Sequence, residues 1–151
     1  MTSSERFTLR AAVYLILIKD GKVLLLRRFN TAWRNGDYTL PAGHVDGRES
    51  VRTALCREAA EEVGVTIQPS DLQFVHVMHQ YDNHEYVDFY FAAAAWQGEP
   101  VNLEPEKCDD VSWFPLDALP ENMVPNVRQA LDAYAAKRYY SEYGLEAFAD
   151  E

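Results

Sequence analysis

The sequence has few cysteines, few positive charges and no long apolar run. Its 151 residues include two cysteines, and 14 basic residues stand against 24 acidic ones, for a formal net charge of −10. The longest apolar runs, Ala11–Ile18 and Phe89–Trp96, are too short to cross a bilayer as helices. Two cysteines exclude a disulfide-dense scaffold, and the N-terminal residues lack the pattern of a secretory signal. The sequence therefore predicts a cytoplasmic globular domain with no membrane partner.

The excess of negative charge also limits the partners. A surface rich in carboxylates repels a polymeric phosphate backbone, so DNA and long RNA are not expected as partners. A small phosphorylated ligand is compatible with the same surface, provided that a metal ion bridges the like charges. The composition thus favours a small ligand that is bound together with a cation.

Alternating apolar and turn-forming segments predict a mixed β-sheet with two helices. Strands are expected at residues 7–19, 22–28, 38–40, 72–81, 86–96 and 111–114, and helices at residues 50–63 and 124–137. Gly64 follows the first helix at the position where a left-handed cap is favoured. This uneven alternation predicts helices packed on the faces of one sheet. The predicted domain covers residues 1–138, and residues 139–151 form an acidic C-terminal tail.

The first predicted helix carries three glutamates on one side. Glu58, Glu61 and Glu62 have the spacing i, i+3, i+4, which places them within an arc of about 100° beside an apolar arc. Like charges at these spacings destabilise a helix by roughly 0.2–0.5 kcal/mol per pair, and a divalent cation would offset that repulsion. A solvated helix face is the alternative interpretation, and for an arbitrary Glu-rich helix it is the commoner one.

The wider spacing favours the metal site. Residues 43–65 match the pattern G-x5-E-x7-R-E-U-x-E-E-x-G-U, in which U is an apolar residue and Ala59 is the smallest occupant of such a position. A chance match of this kind has a probability on the order of 10⁻⁷. The segment resembles the Nudix box, and the surrounding order of strands and helices is similar to that of the Nudix hydrolase family.

The resemblance implies a fold, an activity and a cofactor. The implied fold is an α/β/α sandwich with a mixed β-sheet. The implied activity is metal-dependent hydrolysis of the pyrophosphate bond in a nucleoside diphosphate linked to another group, with a nucleoside triphosphate or a related small nucleotide as the expected substrate. The implied cofactor is Mg²⁺, with Mn²⁺ as a substitute. A Nudix-like module that senses a nucleotide without hydrolysing it is the alternative function, and a homodimer is left open.

The resemblance also implies roles for individual residues. The expected metal ligands are Glu58, Glu61, Glu62 and the main-chain carbonyl near Gly43. Arg57 would orient a glutamate by ion pairing, and Glu49 would brace the loop against the helix. The general base differs between family members, so several candidates stay open: Glu58, Glu62, Glu104, Glu106, Asp109 and Asp110.

Residues outside the box give less information about the substrate. The sequence lacks the Ser-Gln-Pro-Trp-Pro-Phe-Pro-x-Ser pattern of NADH-type members. Tyr81 occupies the position where dinucleoside-polyphosphate-type members carry a tyrosine. The candidate substrate-binding residues are Arg28 and Arg34 for terminal phosphates, Tyr38 and Tyr81 for base stacking, and Glu106 in the acidic segment. Ordinary packing and surface exposure are the alternative interpretations of these side chains.

Overall fold

A computed structural model describes residues 5–149, which form eight strands and two α-helices. In chain order these are β1 (Arg10–Lys19), β2 (Lys22–Arg28), β3 (Tyr38–Thr39), β4 (Ala42–His44), α1 (Val51–Val63), β5 (Gln73–Asp82), β6 (His84–Ala93), β7 (Cys108–Pro115), α2 (Pro125–Ala135) and β8 (Tyr140–Tyr143). Short 3₁₀ turns occupy Pro69–Asp71 and Glu146–Phe148. Within residues 5–149, no helix combines the length and the apolar character needed to span a bilayer.

β1 lies at the centre of the mixed sheet. It runs parallel to β6 along most of its length, and β5 follows antiparallel to β6. Its other edge pairs first with β4, opposite Ala12–Tyr14, and then with β2, at Ile18 and Lys19. β2 pairs in turn with β3 and β7. Because one edge of β1 serves two different partners, the sheet divides just after Tyr14, next to the candidate site.

Both faces of the sheet are buried, one under each helix. In β1, Leu15 and Leu17 pack in the cluster that contains the apolar side of α1, whereas Ile16 packs in the cluster that contains α2. In β2, Leu24 and Leu25 divide between the two clusters in the same way. Burial on both faces explains why these strands are continuous apolar runs rather than alternating ones. The predicted α/β/α sandwich with a mixed sheet is confirmed.

α1 ends where the sequence predicts. The Ser50 side chain caps its N-terminus by accepting a hydrogen bond from the Thr53 N–H at 3.0 Å. Gly64 follows its last residue with a φ of 72°, in the left-handed region that glycine adopts without a steric penalty. Leu55 and Ala59 are fully buried against the sheet. The caps and this buried face fix the direction in which the glutamates of the helix point.

Several strand boundaries differ from the predicted ones, and the sequence does not predict β4. β6, for example, spans His84–Ala93 rather than residues 86–96. β1 begins at Arg10 rather than at residue 7, and β7 extends from Cys108 to Pro115 because it pairs with β2 along that whole length. The tail contributes β8, which runs parallel to β5. The sequence does not predict β8, because a four-residue strand takes its conformation from the neighbour with which it pairs. Both cysteines are free thiols.

Candidate active site

The glutamate side of α1 faces the backbone of β4. A Cβ atom added at Gly43 would stand 2.1 Å from the carboxyl carbon of Glu58, so only glycine leaves room for this carboxylate. Gly43 is not among the residues with positive φ, and its role here is therefore close approach rather than backbone conformation. The Ala42 N–H donates a hydrogen bond to Glu62 Oε2 at 2.9 Å. Two carboxylates of one helix thus contact successive residues of one short strand.

Arg57 ties the helix to the loop that precedes it. Its Nη2 donates to Glu49 Oε1 at 2.7 Å and to the His44 carbonyl at 3.3 Å, and its Nη1 donates to Glu58 Oε1 at 2.8 Å. Glu49 Oε1 also accepts from the Asp46 N–H at 2.8 Å. These two hydrogen bonds, from Arg57 first and then from the main chain, lower the pKa of Glu49. The ionised Glu49 therefore holds both the loop and the arginine.

The carboxylates beside β4 carry more negative charge than their surroundings neutralise. Burial raises the pKa of Glu58 even though Arg57 opposes the shift. Burial, reinforced by the charge of Glu58, raises the pKa of Glu62 well above its usual range. Glu104, which precedes β7, adds negative charge near both. Glu61 has a side chain that is 55% exposed, and its Oε2 lies 3.6 Å from Arg57 Nη1. Such an arrangement favours a bound cation.

The donor atoms fit a hard divalent cation, although they do not form a closed cluster. Across residues 5–149, no three His, Cys, Asp or Glu side chains are gathered closely enough to hold a metal ion. Glu58 is engaged with Arg57, and Glu62 with Ala42. Mg²⁺ commonly takes one or two protein carboxylates and completes its shell with substrate phosphates and water. Carboxylates held against the main chain at Gly43 meet that requirement.

Two neighbouring cavities open beside these carboxylates. Their volumes are about 460 and 200 Å³, and they share the lining residues Tyr14, Arg28, Trp33 and Ala42. The smaller cavity contains Glu62 and Glu104 in its wall. The larger cavity is lined by aromatic and polar side chains, among them His44, Gln80, Asp82, Tyr86 and Asn126. Its volume falls within the range of roughly 300–1,000 Å³ that is typical of small-molecule sites.

Arg28 stands where the two cavities meet. Its Nε donates to the Trp33 carbonyl at 2.8 Å, and its Nη2 donates to Thr31 Oγ1 at 3.1 Å. The guanidinium also lies 5.1 Å from the centre of the Trp33 ring. Burial lowers the pKa of Arg28 from its usual high value. An oriented, partly buried guanidinium suits a phosphate group, because its planar fork matches phosphate oxygens.

The structure brings the residues of the box together. Arg57 contacts Glu49 and Glu58 directly, and Glu61 lies within 4 Å of it. Gly43 and Glu62 meet at β4. These positions are consistent with the roles that the resemblance implies, and those roles stay predictions.

The five candidate substrate-binding residues are dispersed. Arg28 lines both cavities, whereas the other four are absent from the walls of these two. The Tyr38 hydroxyl donates to Asp110, and the Tyr81 ring packs edge-on against Phe148. Arg34 pairs with Asp37 at 3.7 Å, and Glu106 is exposed in a turn. The geometry therefore does not support a substrate-binding role for these four side chains, three of which contact other residues instead.

Tyr14, Gln80 and Asn126 line the larger cavity but are not among the candidate residues that the sequence predicts. They belong to β1, β5 and α2, and no local pattern links segments so far apart in the chain. Asn126 is a buried polar residue of α2, and its burial is visible only in the structure.

The chain matches one protein family and is similar to several known proteins. The family model described as NUDIX domain matches residues 8–134. The chain is 33% identical to the NAD-capped RNA hydrolase NudC of Stutzerimonas stutzeri over 83% of its length, but it spans only 42% of that protein. It is 26% identical to the 8-oxo-dGTP diphosphatase of Escherichia coli, over 73% of this chain and 84% of that protein.

Solved structures agree with the sequence matches. The crystal structure of a MutT NUDIX hydrolase from Burkholderia pseudomallei superposes with a TM-score of 0.77 at 32% identity, covering 83% of this chain and 98% of that one. The chain therefore spans less than half of its NudC relative and is similar to nearly the whole of the B. pseudomallei protein.

Proposed function

This chain belongs to the NUDIX family, and from that membership we propose that it is a metal-dependent hydrolase. The proposed reaction is cleavage of the pyrophosphate bond in a nucleoside diphosphate linked to another group. A nucleoside triphosphate is the proposed substrate, a choice supported by the name of the E. coli relative, 8-oxo-dGTP diphosphatase. The proposal assigns hydrolysis rather than nucleotide sensing to the site.

One observation carries the proposal: Glu58 and Glu62 are held against β4, at the edge of two cavities that Arg28 joins. Burying two carboxylates side by side is unfavourable unless a cation compensates for them. A protein with a net charge of −10 also needs a cation to bind a polyphosphate. One metal site satisfies both requirements.

Each charged residue has a proposed role at this site. Glu58, Glu61, Glu62 and the main-chain carbonyl near Gly43 would hold Mg²⁺ or Mn²⁺, which neutralises the pyrophosphate and acts as a Lewis acid when it is bound. Arg57 holds Glu58 in place, and Arg28 binds a phosphate.

The proposed general base is a carboxylate of the smaller cavity. Burial raises the pKa of Glu62, which makes its carboxylate a stronger base toward the attacking water than an ordinary glutamate. Glu104 lines the same cavity and is the alternative base. In this arrangement the larger cavity binds the purine or pyrimidine ring of the nucleotide.

A substrate panel tests this proposal. We expect Mg²⁺-dependent hydrolysis of at least one nucleoside triphosphate, and loss of that activity with a chelator. The panel includes dinucleoside polyphosphates, ADP-ribose, nucleotide sugars, NAD⁺ and NAD-capped RNA, and products formed in ¹⁸O-labelled water identify the phosphorus that is attacked. Saturable nucleotide binding with no turnover of any compound would instead establish a sensing module.

Gly43→Ala is expected to reduce kcat/KM by about 10²-fold while the fold is retained. The added methyl group would stand 2.1 Å from the Glu58 carboxyl carbon, so this flexible side chain must move. A displacement of about 1 Å in a catalytic group costs on the order of 10²-fold in rate. Gly47→Ala is the matched control, because a Cβ atom at Gly47 meets nothing within 4 Å. Equal losses in the two variants would contradict the role assigned to this close approach.

A further inference from the structure

Asp88 lies behind the larger cavity, in the middle of β6. It is completely buried, and Gln80 on the neighbouring strand β5 connects it to the cavity. Gln80 is 5% exposed and lines the cavity, and its Nε2 donates to Asp88 Oδ2 at 3.1 Å. The function proposed above makes no use of either side chain. A buried carboxylate beside a cavity-lining amide therefore requires its own explanation.

Hydrogen-bonding capacity is left over in this pair. Gln80 Oε1 and Asp88 Oδ1 are both buried without a hydrogen-bond partner. Burial of an acceptor without a protein partner is costly, and in folded proteins such groups are satisfied by ordered water, by a ligand or by a change of protonation. Gln80 is the member of the pair that lines the cavity. Because its Oε1 is shielded from solvent in the free protein, a ligand would contact this oxygen after the Gln80 side chain turns toward the cavity.

The pair has two complementary arrangements. When Asp88 is ionised, it accepts a hydrogen bond from the Gln80 amino group, and the Gln80 carbonyl oxygen remains for a donor on the ligand. When Asp88 is protonated, its O–H can donate to the Gln80 carbonyl with the amide turned over, and the amino group remains for an acceptor on the ligand. Burial raises the pKa of Asp88 from 3.8 to about 7, so both arrangements are accessible near neutral pH.

We propose that Gln80 is a specificity-determining residue that distinguishes amino bases from keto bases, and that Asp88 is the positioning residue whose protonation selects which group Gln80 offers. This inference rests on the proposed function, since it assumes that a nucleotide base enters the larger cavity. Ionised Asp88 favours bases with an amino group, such as adenine and cytosine. Protonated Asp88 favours bases with a carbonyl group there, such as hypoxanthine and uracil.

The groups that surround Asp88 come from three strands and one helix. Tyr14 on β1 and Tyr90 on β6 have pKa values raised by burial and by the Asp88 charge, so both stay neutral near pH 7. Asn126 on α2 is uncharged and lowers the pKa of Tyr14. His76 on β5 contacts the Tyr90 ring, with 5.9 Å between the ring centroids. Because His76 is a second ionisable side chain near Tyr90, the test needs a variant that removes the Asp88 charge and keeps His76.

Two more charged or titratable groups act from the side of the cavity. Arg28 on β2 and Tyr86 on β6 influence the pKa of Tyr14 in opposite directions. Both are retained in every variant proposed below, so their contributions cancel in the comparison.

The test is the pH dependence of a substrate ratio. We expect the ratio of kcat/KM for ATP to that for ITP, and likewise for CTP to UTP, to rise at least about five-fold between about pH 5.5 and about pH 8.5. Each ratio cancels effects on the shared triphosphate chemistry, including titration of the α1 glutamates. Asp88→Asn should make both ratios independent of pH, and so should Gln80→Leu. Ratios that do not change with pH in the wild type would overturn the proposal.

A matched control separates Asp88 from other groups that titrate. His79 also lies on β5, and its Nε2 contacts Glu85 Oε2 at 2.7 Å outside the larger cavity. His79→Gln should keep the pH dependence of both ratios. If Asp88→Asn keeps it as well, His76 or another group is responsible and Asp88 has no positioning role.

An NMR experiment tests the coupling between Gln80 and Asp88 without requiring turnover. The NMR signals of the Gln80 side-chain amide, identified by their loss in Gln80→Leu, should shift with pH in the free protein and should stop doing so in Asp88→Asn. If the four nucleotides bind without being hydrolysed, the proposed function fails, and the ratios of their Kd values take the place of the kinetic ratios. If the Gln80 amide signals do not shift with pH, the proposed coupling between Gln80 and Asp88 is wrong, whether or not the protein hydrolyses nucleotides.

Discussion

Glu62→Gln is expected to lower kcat for the best nucleotide substrate by at least about 10³-fold, because it removes both a proposed metal ligand and the proposed base. Glutamine has the same size and can still accept the Ala42 N–H that now bonds to Glu62 Oε2. The fold should therefore persist. Initial rates over a range of Mg²⁺ concentrations measure the effect.

The same substitution should not destabilise the metal-free protein. Burial and the charge of Glu58 raise the pKa of Glu62, so its ionised form is unfavourable in the folded state near neutral pH. A neutral glutamine avoids that cost, and the free energy of unfolding without metal should stay equal or rise. The stabilisation that Mg²⁺ provides should disappear.

Glu99→Gln is the control for this experiment, since Glu99 is exposed and lies outside both cavities. It should retain wild-type rates and Mg²⁺ dependence. Wild-type turnover in Glu62→Gln would remove this carboxylate from the mechanism. A general loss of stability in Glu62→Gln would contradict its assignment as an unfavourably buried charge.

Asp88→Asn is expected to stabilise the protein at pH 8 by up to about 4 kcal/mol, and to have almost no effect near pH 4. Burial raises the pKa of Asp88 from 3.8 to about 7. Below about pH 4 the Asp88 carboxyl is protonated in both the folded and the unfolded states, so its ionisation does not change the free energy of unfolding. As the pH rises to about 7, the unfolded chain loses this proton and the folded protein retains it, and stability therefore falls.

Chemical denaturation at a series of pH values measures this effect. The difference in unfolding free energy between Asp88→Asn and the wild type should grow between about pH 4 and about pH 7 and then level off. Asp117→Asn, at an exposed position, should show no comparable growth. A constant difference across the series would mean that Asp88 is ionised throughout, and would contradict its raised pKa.

The sequence contains enough information to identify the family and to predict the helix that carries the three glutamates. Ser50 and Gly64 mark the ends of α1, and the spacing of Glu58, Glu61 and Glu62 places them on one side of it. These are local relationships, because a helix places residues three or four positions apart on one face whatever surrounds it. The eight-residue apolar run in β1 likewise predicts a strand buried on both faces.

The cavities and the shifted pKa values depend on the tertiary structure. Gly43 meets Glu58 only because β4 pairs with β1 beside α1, and the larger cavity joins side chains from five strands and α2. Sequence spacing did not predict which aromatic or basic residues would line it: Arg28 does, whereas Tyr38 packs elsewhere. Asp88 is a carboxylate within an apolar strand, but only the packing around it gives the burial that shifts its pKa. Local chemistry follows from neighbours in the chain, and cavities and shifted pKa values follow from neighbours in space.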